Sequence, residues 1–164
     1  MPTLYLLRHA KSSWDDPSLP DHDRPLARRG ERAAAAMGEH LHSEGIAPRL
    51  VLCSTALRAR QTLERLLLAS EVRLERGLYG ASETDLLLFL RGLPADLESA
   101  MMIGHNPAMQ ELALTLAAEG PELSRLHSKY PTGALLTLEF EGGWDALGPH
   151  SALLVAFVRP KDLR

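Results

Sequence analysis

Six short runs of largely apolar residues divide the chain, each about the length of a β-strand. They fall at 3–8, 49–53, 71–75, 100–104, 133–140 and 152–158, and segments with helical spacing lie at 25–44, 56–68, 83–92 and 107–118. Almost wholly apolar runs are typical of strands covered on both faces in a parallel sheet. The alternation predicts the α/β class: a three-layer α/β/α sandwich with a mostly parallel central sheet, which the last two strands close as an antiparallel edge.

The expected helix ends follow from local signals. Pro25 suits the first position of its helix, and Asn106 is a favourable N-cap for the last one. Ser82 followed three residues later by Asp85 resembles a capping box. Because no repeat, low-complexity tract or long linker divides the chain, we predict a single domain over residues 1–164.

Composition and charge narrow the function classes. The chain has 164 residues, 45% of them hydrophobic, and a net charge of −3, so it lacks the basic excess of a nucleic-acid binder. Its single cysteine allows no internal disulfide, and neither a secretory signal nor an apolar run of about 20 residues is visible. We therefore expect a cytoplasmic protein with no membrane partner. Its oligomeric state stays open.

Three of the strand-like runs are followed by residues suited to binding an anion. Arg8 and His9 close the first run, Arg58 lies shortly after the second, and His105 follows the fourth. Open α/β sheets bind ligands at the carboxyl ends of their strands, so these side chains are expected to converge. Guanidinium groups pair with phosphate oxygens, and a neutral imidazole beside a cation is a competent nucleophile toward phosphorus. The pattern therefore predicts phosphoryl chemistry.

Other interpretations of these residues are weaker. Cys53 and Arg58 are separated by four residues instead of the five of cysteine phosphatases, so we interpret Cys53 as a buried core residue. No ligand spacing typical of zinc is present, and two arginines would repel a cation, so no metal site is predicted. The remaining histidines are interpreted as background: His22, His40, His42, His127 and His150.

At these motifs the chain resembles the histidine phosphatase superfamily, which has the phosphoglycerate-mutase-like fold. The likeness is carried by Leu6-Leu7-Arg8-His9-Ala10, by Ser54 with Arg58-Ala59 and Gln61-Thr62, and by Gly104-His105-Asn106-Pro107. The likeness covers nearly the whole chain. The stretches similar to the SixA-type phosphohistidine phosphatase branch are Lys11-Ser12, Asp23-Arg24-Pro25-Leu26 with Gly30, Leu78-Tyr79-Gly80-Ala81 and Tyr130-Pro131-Thr132-Gly133.

The resemblance implies a role for each matching residue. His9 is the expected nucleophile, phosphorylated transiently, and Arg8, Arg58 and His105 are expected to bind the transferred phosphoryl group. No metal or organic cofactor is implied. We add Lys11, Ser12 and Asn106 as substrate-binding candidates.

Two departures from the wider superfamily bear on the substrate. Asp15 stands where mutase-like relatives carry an asparagine, and its carboxylate is expected to point away from phosphate or to bind a basic group. Larger relatives present a glutamate as general acid from an inserted region, which here shrinks to residues 76–82. Glu83 is the nearest carboxylate and a poor match, because it begins a capped helix. The imidazole of phosphohistidine leaves without an acid more readily than an alkoxide does, so a site lacking one favours phosphohistidine.

The sequence thus predicts a metal-independent phosphatase for phosphohistidine on a protein, with a histidine-phosphotransfer domain among the candidate partners. Two alternatives stay open. One is a phosphatase for a small phosphorylated metabolite, and the other is a non-catalytic module that binds phosphate or phosphohistidine. The acidic loop at 15–23 is interpreted as a solvated turn that a basic partner could meet.

Overall fold

The computed structural model describes residues 1–163, which form one seven-stranded sheet with helices on both faces. The strands are β1 (Thr3–Arg8), β2 (Leu50–Ser54), β3 (Glu71–Glu75), β4 (Ser99–Gly104), β5 (Ala117–Glu119), β6 (Leu135–Phe140) and β7 (Ala152–Val158). The helices are α1 (Arg28–Ser43), α2 (Leu57–Leu66), α3 (Glu83–Arg91), α4 (Ala108–Leu116) and α5 (Leu123–Ser128). All six predicted strands and all four predicted helices are present.

The sheet is mostly parallel, as predicted. Its strand order is β3-β2-β4-β1-β6-β7-β5, and within residues 1–163 only β6 runs against its neighbours. The prediction of an antiparallel edge is therefore only partly right, because β6 lies inside the sheet, between β1 and β7. The outer edge is β5, which pairs with β7 in a stretch that was predicted to end a helix. The backbone there is extended because a distant strand supplies its partner.

Two helical layers cover the sheet and bury its central strands from both sides. Leu4 and Leu6 of β1 belong to a core shared with α3 and α4, whereas Leu7 packs into a second core with α1 and α2. This two-sided burial is the physical reason for the nearly all-apolar central strands. By contrast, β3 is an edge strand with exposed Val72 and Leu74.

The observed helix ends test the local signals. Ser82 and Asp85 form the predicted capping box of α3. The N-cap of α4 is Pro107 and not the predicted Asn106, whose side chain nevertheless accepts a hydrogen bond from the Gln110 amide. The prediction for Pro25 is wrong, since α1 begins only at Arg28. Residues 25–27 are extended instead, because they bond to the backbone of residues 11–13 just after β1. None of the helices within residues 1–163 is both long and apolar enough to cross a bilayer.

Candidate active site

The predicted site residues meet at one edge of the sheet. Strands β2, β4 and β1 are adjacent and parallel, so their carboxyl ends lie side by side. Arg8 ends β1 opposite Gly104 of β4, and His105 follows directly. Arg58 is the second residue of α2, which follows β2. The predicted convergence is therefore confirmed, and it arises from strand register.

The side chains of His9, Arg58 and His105 surround a common point. The imidazole centroids of His9 and His105 are 5.0 Å apart. Arg58 places its Nε 3.4 Å from His9 Nε2 and its Nη2 3.5 Å from His105 Nδ1. One edge of the guanidinium thus faces both imidazoles, an arrangement suited to a tetrahedral anion between them.

His9 is held in a single tautomer. Its Nδ1 lies 2.8 Å from the carbonyl oxygen of Ala10, which can only accept, so Nδ1 carries the proton and Nε2 keeps its lone pair. The ring is 7% exposed, and burial together with the surrounding cations lowers the pKa of His9 to about 3. His9 therefore presents a neutral, unprotonated Nε2 toward Arg58 at neutral pH.

His105 is oriented by a residue of β2 that sequence reasoning left without a role. Its Nε2 lies 2.8 Å from Ser54 Oγ, and Ser54 is fully buried. Ser54 Oγ also accepts the amide of Ala56 at 3.3 Å, so one buried hydroxyl joins the imidazole of His105 to the start of α2. Burial, and then the charge of Arg58, lowers the pKa of His105 to about 4. The remaining nitrogen, Nδ1, faces the guanidinium of Arg58.

Helix α2 couples the nucleophile to the arginine through Thr62. The Thr62 hydroxyl accepts the amide proton of Ala10 at 3.0 Å and donates to the carbonyl oxygen of Arg58 at 2.7 Å. Ala10 in turn holds His9 through its carbonyl. One buried hydroxyl therefore sets the spacing between the turn after β1 and the start of α2.

Arg8, the last residue of β1, is anchored by the chain that follows α5. Its Nη1 donates to the carbonyl oxygen of Tyr130 at 2.9 Å, and its buried Nε has no hydrogen-bond partner within residues 1–163. The same carbonyl accepts a 3.3 Å bond from Asn106 Nδ2. The positive charge of Arg8 contributes to the lowered pKa of both His9 and His105.

Asp21 corrects the interpretation of the acidic loop as a solvated turn. Its backbone oxygen accepts from Arg58 Nη1 at 2.8 Å, and its carboxylate accepts from Arg58 Nη2 at 3.0 Å. The same carboxylate binds Arg24 at 2.9 Å and the Tyr79 hydroxyl at 2.6 Å. The bond from Tyr79, helped by the two arginines, lowers the pKa of Asp21 below its ordinary range. Asp21 thus binds the outer edge of the Arg58 guanidinium, formed by Nη1 and Nη2. The inner edge, formed by Nε and Nη2, faces the two histidines.

Tyr79 and His22 complete the rim of the site next to Asp21. Tyr79 stacks edge-on against His105 with centroids 5.6 Å apart, and His22 packs edge-on against Tyr79 at 4.8 Å. His22, interpreted as background, also bonds Thr55 Oγ1 at 2.9 Å. Arg24 lies 3.3 Å beneath the ring of Trp14, an exposed residue of the same loop. The sequence pointed to Tyr79 and Arg24 only as members of the stretches that resemble the family. Nothing in the sequence indicated their contacts.

The remaining candidates have other surroundings. Lys11 is exposed on the α1 side of the site, and Ser12 accepts a hydrogen bond from Arg24. Asp15 is exposed, whereas Glu83 accepts a hydrogen bond from Thr115 of α4, which agrees with its poor match to a general acid. Whether Lys11, Ser12 or Asn106 contacts substrate stays a prediction.

Cys53 is fully buried in β2, and burial raises the pKa of its thiol to about 12. The interpretation as a core residue is therefore confirmed. Within residues 1–163, no three His, Cys, Asp or Glu side chains are grouped so that they could hold a metal ion.

Comparison with known proteins agrees with this geometry. A model of the histidine phosphatase superfamily (branch 1) matches residues 4–80. An uncharacterized protein of Mycobacterium tuberculosis is 36% identical over 159 residues, covering 94% of this chain and 100% of the relative. Among solved structures, the candidate phosphohistidine phosphatase SixA of Nakamurella multipartitia is 31% identical, with a TM-score of 0.85 over 97% of this chain and 96% of that one. The SixA candidate of Agrobacterium tumefaciens is 28% identical, with a TM-score of 0.81 over 96% and 97%.

The chain belongs to the histidine phosphatase superfamily, in its SixA-type branch. It is therefore a phosphatase with the phosphoglycerate-mutase-like α/β fold, as the motifs implied.

Proposed function

We propose that the protein hydrolyses phosphohistidine on a protein substrate by double displacement through His9. The observation that carries this proposal is the fixed tautomer of His9, whose unprotonated Nε2 faces Arg58 at 3.4 Å. In the first step Nε2 attacks phosphorus in line, the bond between phosphorus and the substrate imidazole breaks, and the substrate ring, already protonated on its other nitrogen, leaves as neutral imidazole with the electron pair. Water then attacks the phosphoryl group on His9, which releases inorganic phosphate and restores the free imidazole.

The groups around His9 are placed to stabilise charge on the transferred oxygens. Arg58 offers its Nε and Nη2, and Arg8 adds a second positive charge. With a phosphoryl oxygen beside Nδ1, the tautomer protonated there, with Ser54 donating to Nε2, would be selected over the one in which Nδ1 accepts from Arg58 Nη2. His105 would accordingly donate a hydrogen bond while staying neutral.

The protonation states of the carboxyl groups favour phosphohistidine over a phosphomonoester. Asp21 is the carboxyl group seen at the site within residues 1–163, and its lowered pKa keeps it ionised, so it has no proton to give. Glu83 is bonded to Thr115 instead. An alkoxide leaving group requires protonation by a matched acid, whereas an imidazole leaves far more readily. A phosphorylated protein as substrate is supported by the likeness to the SixA candidates, whose names specify phosphohistidine.

The test compares a phosphohistidine peptide with a panel of phosphomonoesters, using wild type and His9→Ala. We expect the peptide to be the better substrate by kcat/KM, and His9→Ala to abolish turnover while phosphate binding persists. Brief incubation of wild type with ³²P-labelled peptide should leave acid-labile label on His9. Higher activity on a monoester would indicate a metabolite phosphatase. Binding without turnover would indicate a recognition module, and activity retained by His9→Ala would refute the nucleophile assignment.

A further inference from the structure

A large basic groove lies next to the phosphoryl site on the α1 side. Its volume is about 1060 Å³, and it runs between the start of α1, the end of α5 and the residues after β7. Five exposed cations on its walls define it: Lys11, Arg29, Arg32, Lys129 and Lys161. Ala33, Ala36, Phe157 and Leu163 add apolar surface. None of its lining residues is acidic, although the whole chain carries a net charge of −3.

The five cations of the basic groove are free to meet an external anion. Arg125 and Arg159, which also line it, are paired with Glu122 and Asp162. By contrast, the five defining cations have no carboxylate oxygen within 4.0 Å among residues 1–163. No close ion pair therefore offsets their mutual repulsion within the described chain, and binding of a negatively charged partner would relieve it.

The position of Arg29 and Arg32 is unfavourable for the helix that carries them. Both lie in the first five residues of α1, where the positive end of the helix dipole disfavours cations. Neither residue is therefore explained by helix stability.

The basic groove is continuous with the catalytic centre through Arg8. This residue lines the groove and also lies beside His9, and Lys11 follows only two positions after His9. A polyanionic segment lying in the groove would therefore reach the edge of the phosphoryl site. The volume of the groove slightly exceeds the range typical of small-molecule sites, about 300–1000 Å³. Its cations are long, exposed side chains set around apolar surface, which suits a polypeptide with spaced carboxylates.

We propose that the basic groove docks an acidic segment of the phosphoprotein whose phosphohistidine is delivered to His9. This inference rests on the proposed function and adds the means of partner selection. Several exposed ion pairs acting together raise the rate of encounter and orient the partner, and their effect falls with ionic strength.

The test uses two synthetic phosphohistidine peptides of equal length, one flanked by a run of glutamates and the other by glutamines. At low ionic strength we expect kcat/KM to be about tenfold higher for the glutamate peptide, the combined effect of several exposed ion pairs. In about 1 M salt, where the screening length is about 3 Å, the preference should disappear. Equal kcat/KM for the two peptides at low ionic strength would overturn the proposal.

Charge reversal tests whether the preference for the glutamate peptide depends on the basic groove. The double variant Arg29→Glu/Arg32→Glu should lose the preference for the glutamate peptide and hydrolyse the glutamine peptide at the wild-type rate. The matched control Arg28→Glu/Arg73→Glu changes the net charge equally at exposed positions outside the groove, and should keep the preference. A preference that survives in the first variant, or is lost equally in both, contradicts docking in the groove. Circular dichroism establishes that both variants are folded.

Binding separates this inference from the proposed function. If neither peptide is hydrolysed, the proposed function fails, and the groove is then judged by fluorescence anisotropy with the unphosphorylated glutamate peptide. Binding to wild type and to the control, but not to Arg29→Glu/Arg32→Glu, supports the docking surface, and equal binding to all three refutes it. Tripolyphosphate that binds more tightly than the peptide, and only when Arg29 and Arg32 are present, would show a small-polyanion subsite instead.

Discussion

Asp21 shows how one residue can act on the phosphoryl site without contacting the reacting atoms. Its backbone oxygen and carboxylate hold the outer edge of Arg58, so that Nε and Nη2 face His9 and His105. The carboxylate carries the same sign of charge as phosphate, yet its contacts with Arg24, Arg58 and Tyr79 occupy it. Asp21 is therefore a positioning residue for Arg58.

Replacing Asp21 with asparagine should lower kcat/KM for a phosphohistidine peptide by about tenfold. Asp21 is half-exposed, so the loss corresponds to the low end of a charge-assisted hydrogen bond, about 1.5 kcal/mol. Asp23→Asn is the matched control, because Asp23 is exposed and, within residues 1–163, its carboxylate has no lysine or arginine nitrogen within 4.0 Å; His22 Nδ1 lies 3.7 Å away. Steady-state kinetics at constant ionic strength provide the measurement. Faster hydrolysis by Asp21→Asn would mean that the carboxylate competes with phosphate for Arg58.

At the scale of elements, the packing of α1 against the turn after β1 supports the site. A Cβ at Gly30 of α1 would lie 2.1 Å from the carbonyl oxygen of Lys11, which itself accepts the amide of Ala27. No side chain fits without moving that backbone, and Lys11 directly follows Ala10, whose carbonyl holds His9. The close approach explains why glycine is needed in the first turn of α1 despite its low helix propensity.

Gly30→Ala should therefore reduce both stability and turnover. Overpacking of this kind costs about 1–3 kcal/mol, and the displaced backbone would also shift His9. Gly38→Ala is the control on the same helix, because its Cβ would meet the backbone of Arg65 and Leu66 at 2.9 Å, at the far end of α2. Urea unfolding and kcat/KM, measured well below the melting temperature, distinguish the two. Equal loss of activity in both variants would contradict the link between Gly30 and His9.

At the scale of the whole molecule, the two neutral imidazoles buried in the site make the free energy of unfolding depend on pH. His9 and His105 have a pKa of about 3 and about 4 in the folded protein, whereas a histidine in the unfolded chain has a pKa of about 6.5. Between these values the unfolded state binds more protons. The free energy of unfolding is therefore highest above about pH 6.5 and falls as the pH is lowered toward 4.

His9→Asn should weaken this pH dependence. From pH 7 to pH 5, the buried His9 accounts for a fall of about 2 kcal/mol in the free energy of unfolding, at 1.36 kcal/mol for each pKa unit. His127→Asn removes an exposed imidazole on α5 and serves as the control, with the wild-type dependence expected. Urea denaturation at the two pH values measures the difference. An unchanged fall in His9→Asn would show that His9 is already protonated in the folded state at pH 5.

The sequence by itself determined the α/β class, the strands and helices, and the four residues that converge. These features follow from short-range information, since apolar periodicity sets the elements and parallel order brings Arg8, Arg58 and His105 to one edge. The prediction for Pro25 was wrong because residues 25–27 pair with a segment distant from α1, which local propensity does not register. The position of β5 at the sheet edge was missed for the same reason.

Only the tertiary structure decided what surrounds those four residues. The family motifs contained Ser54, Thr62 and Tyr79, yet their hydrogen bonds span 51 to 58 residues of chain and depend on side-chain packing. The role of Asp21 was hidden for the same physical reason, because an aspartate in a polar loop is solvated unless a distant arginine lies within reach. The basic groove likewise joins α1, α5 and the chain after β7, so its charge is invisible in a net value of −3.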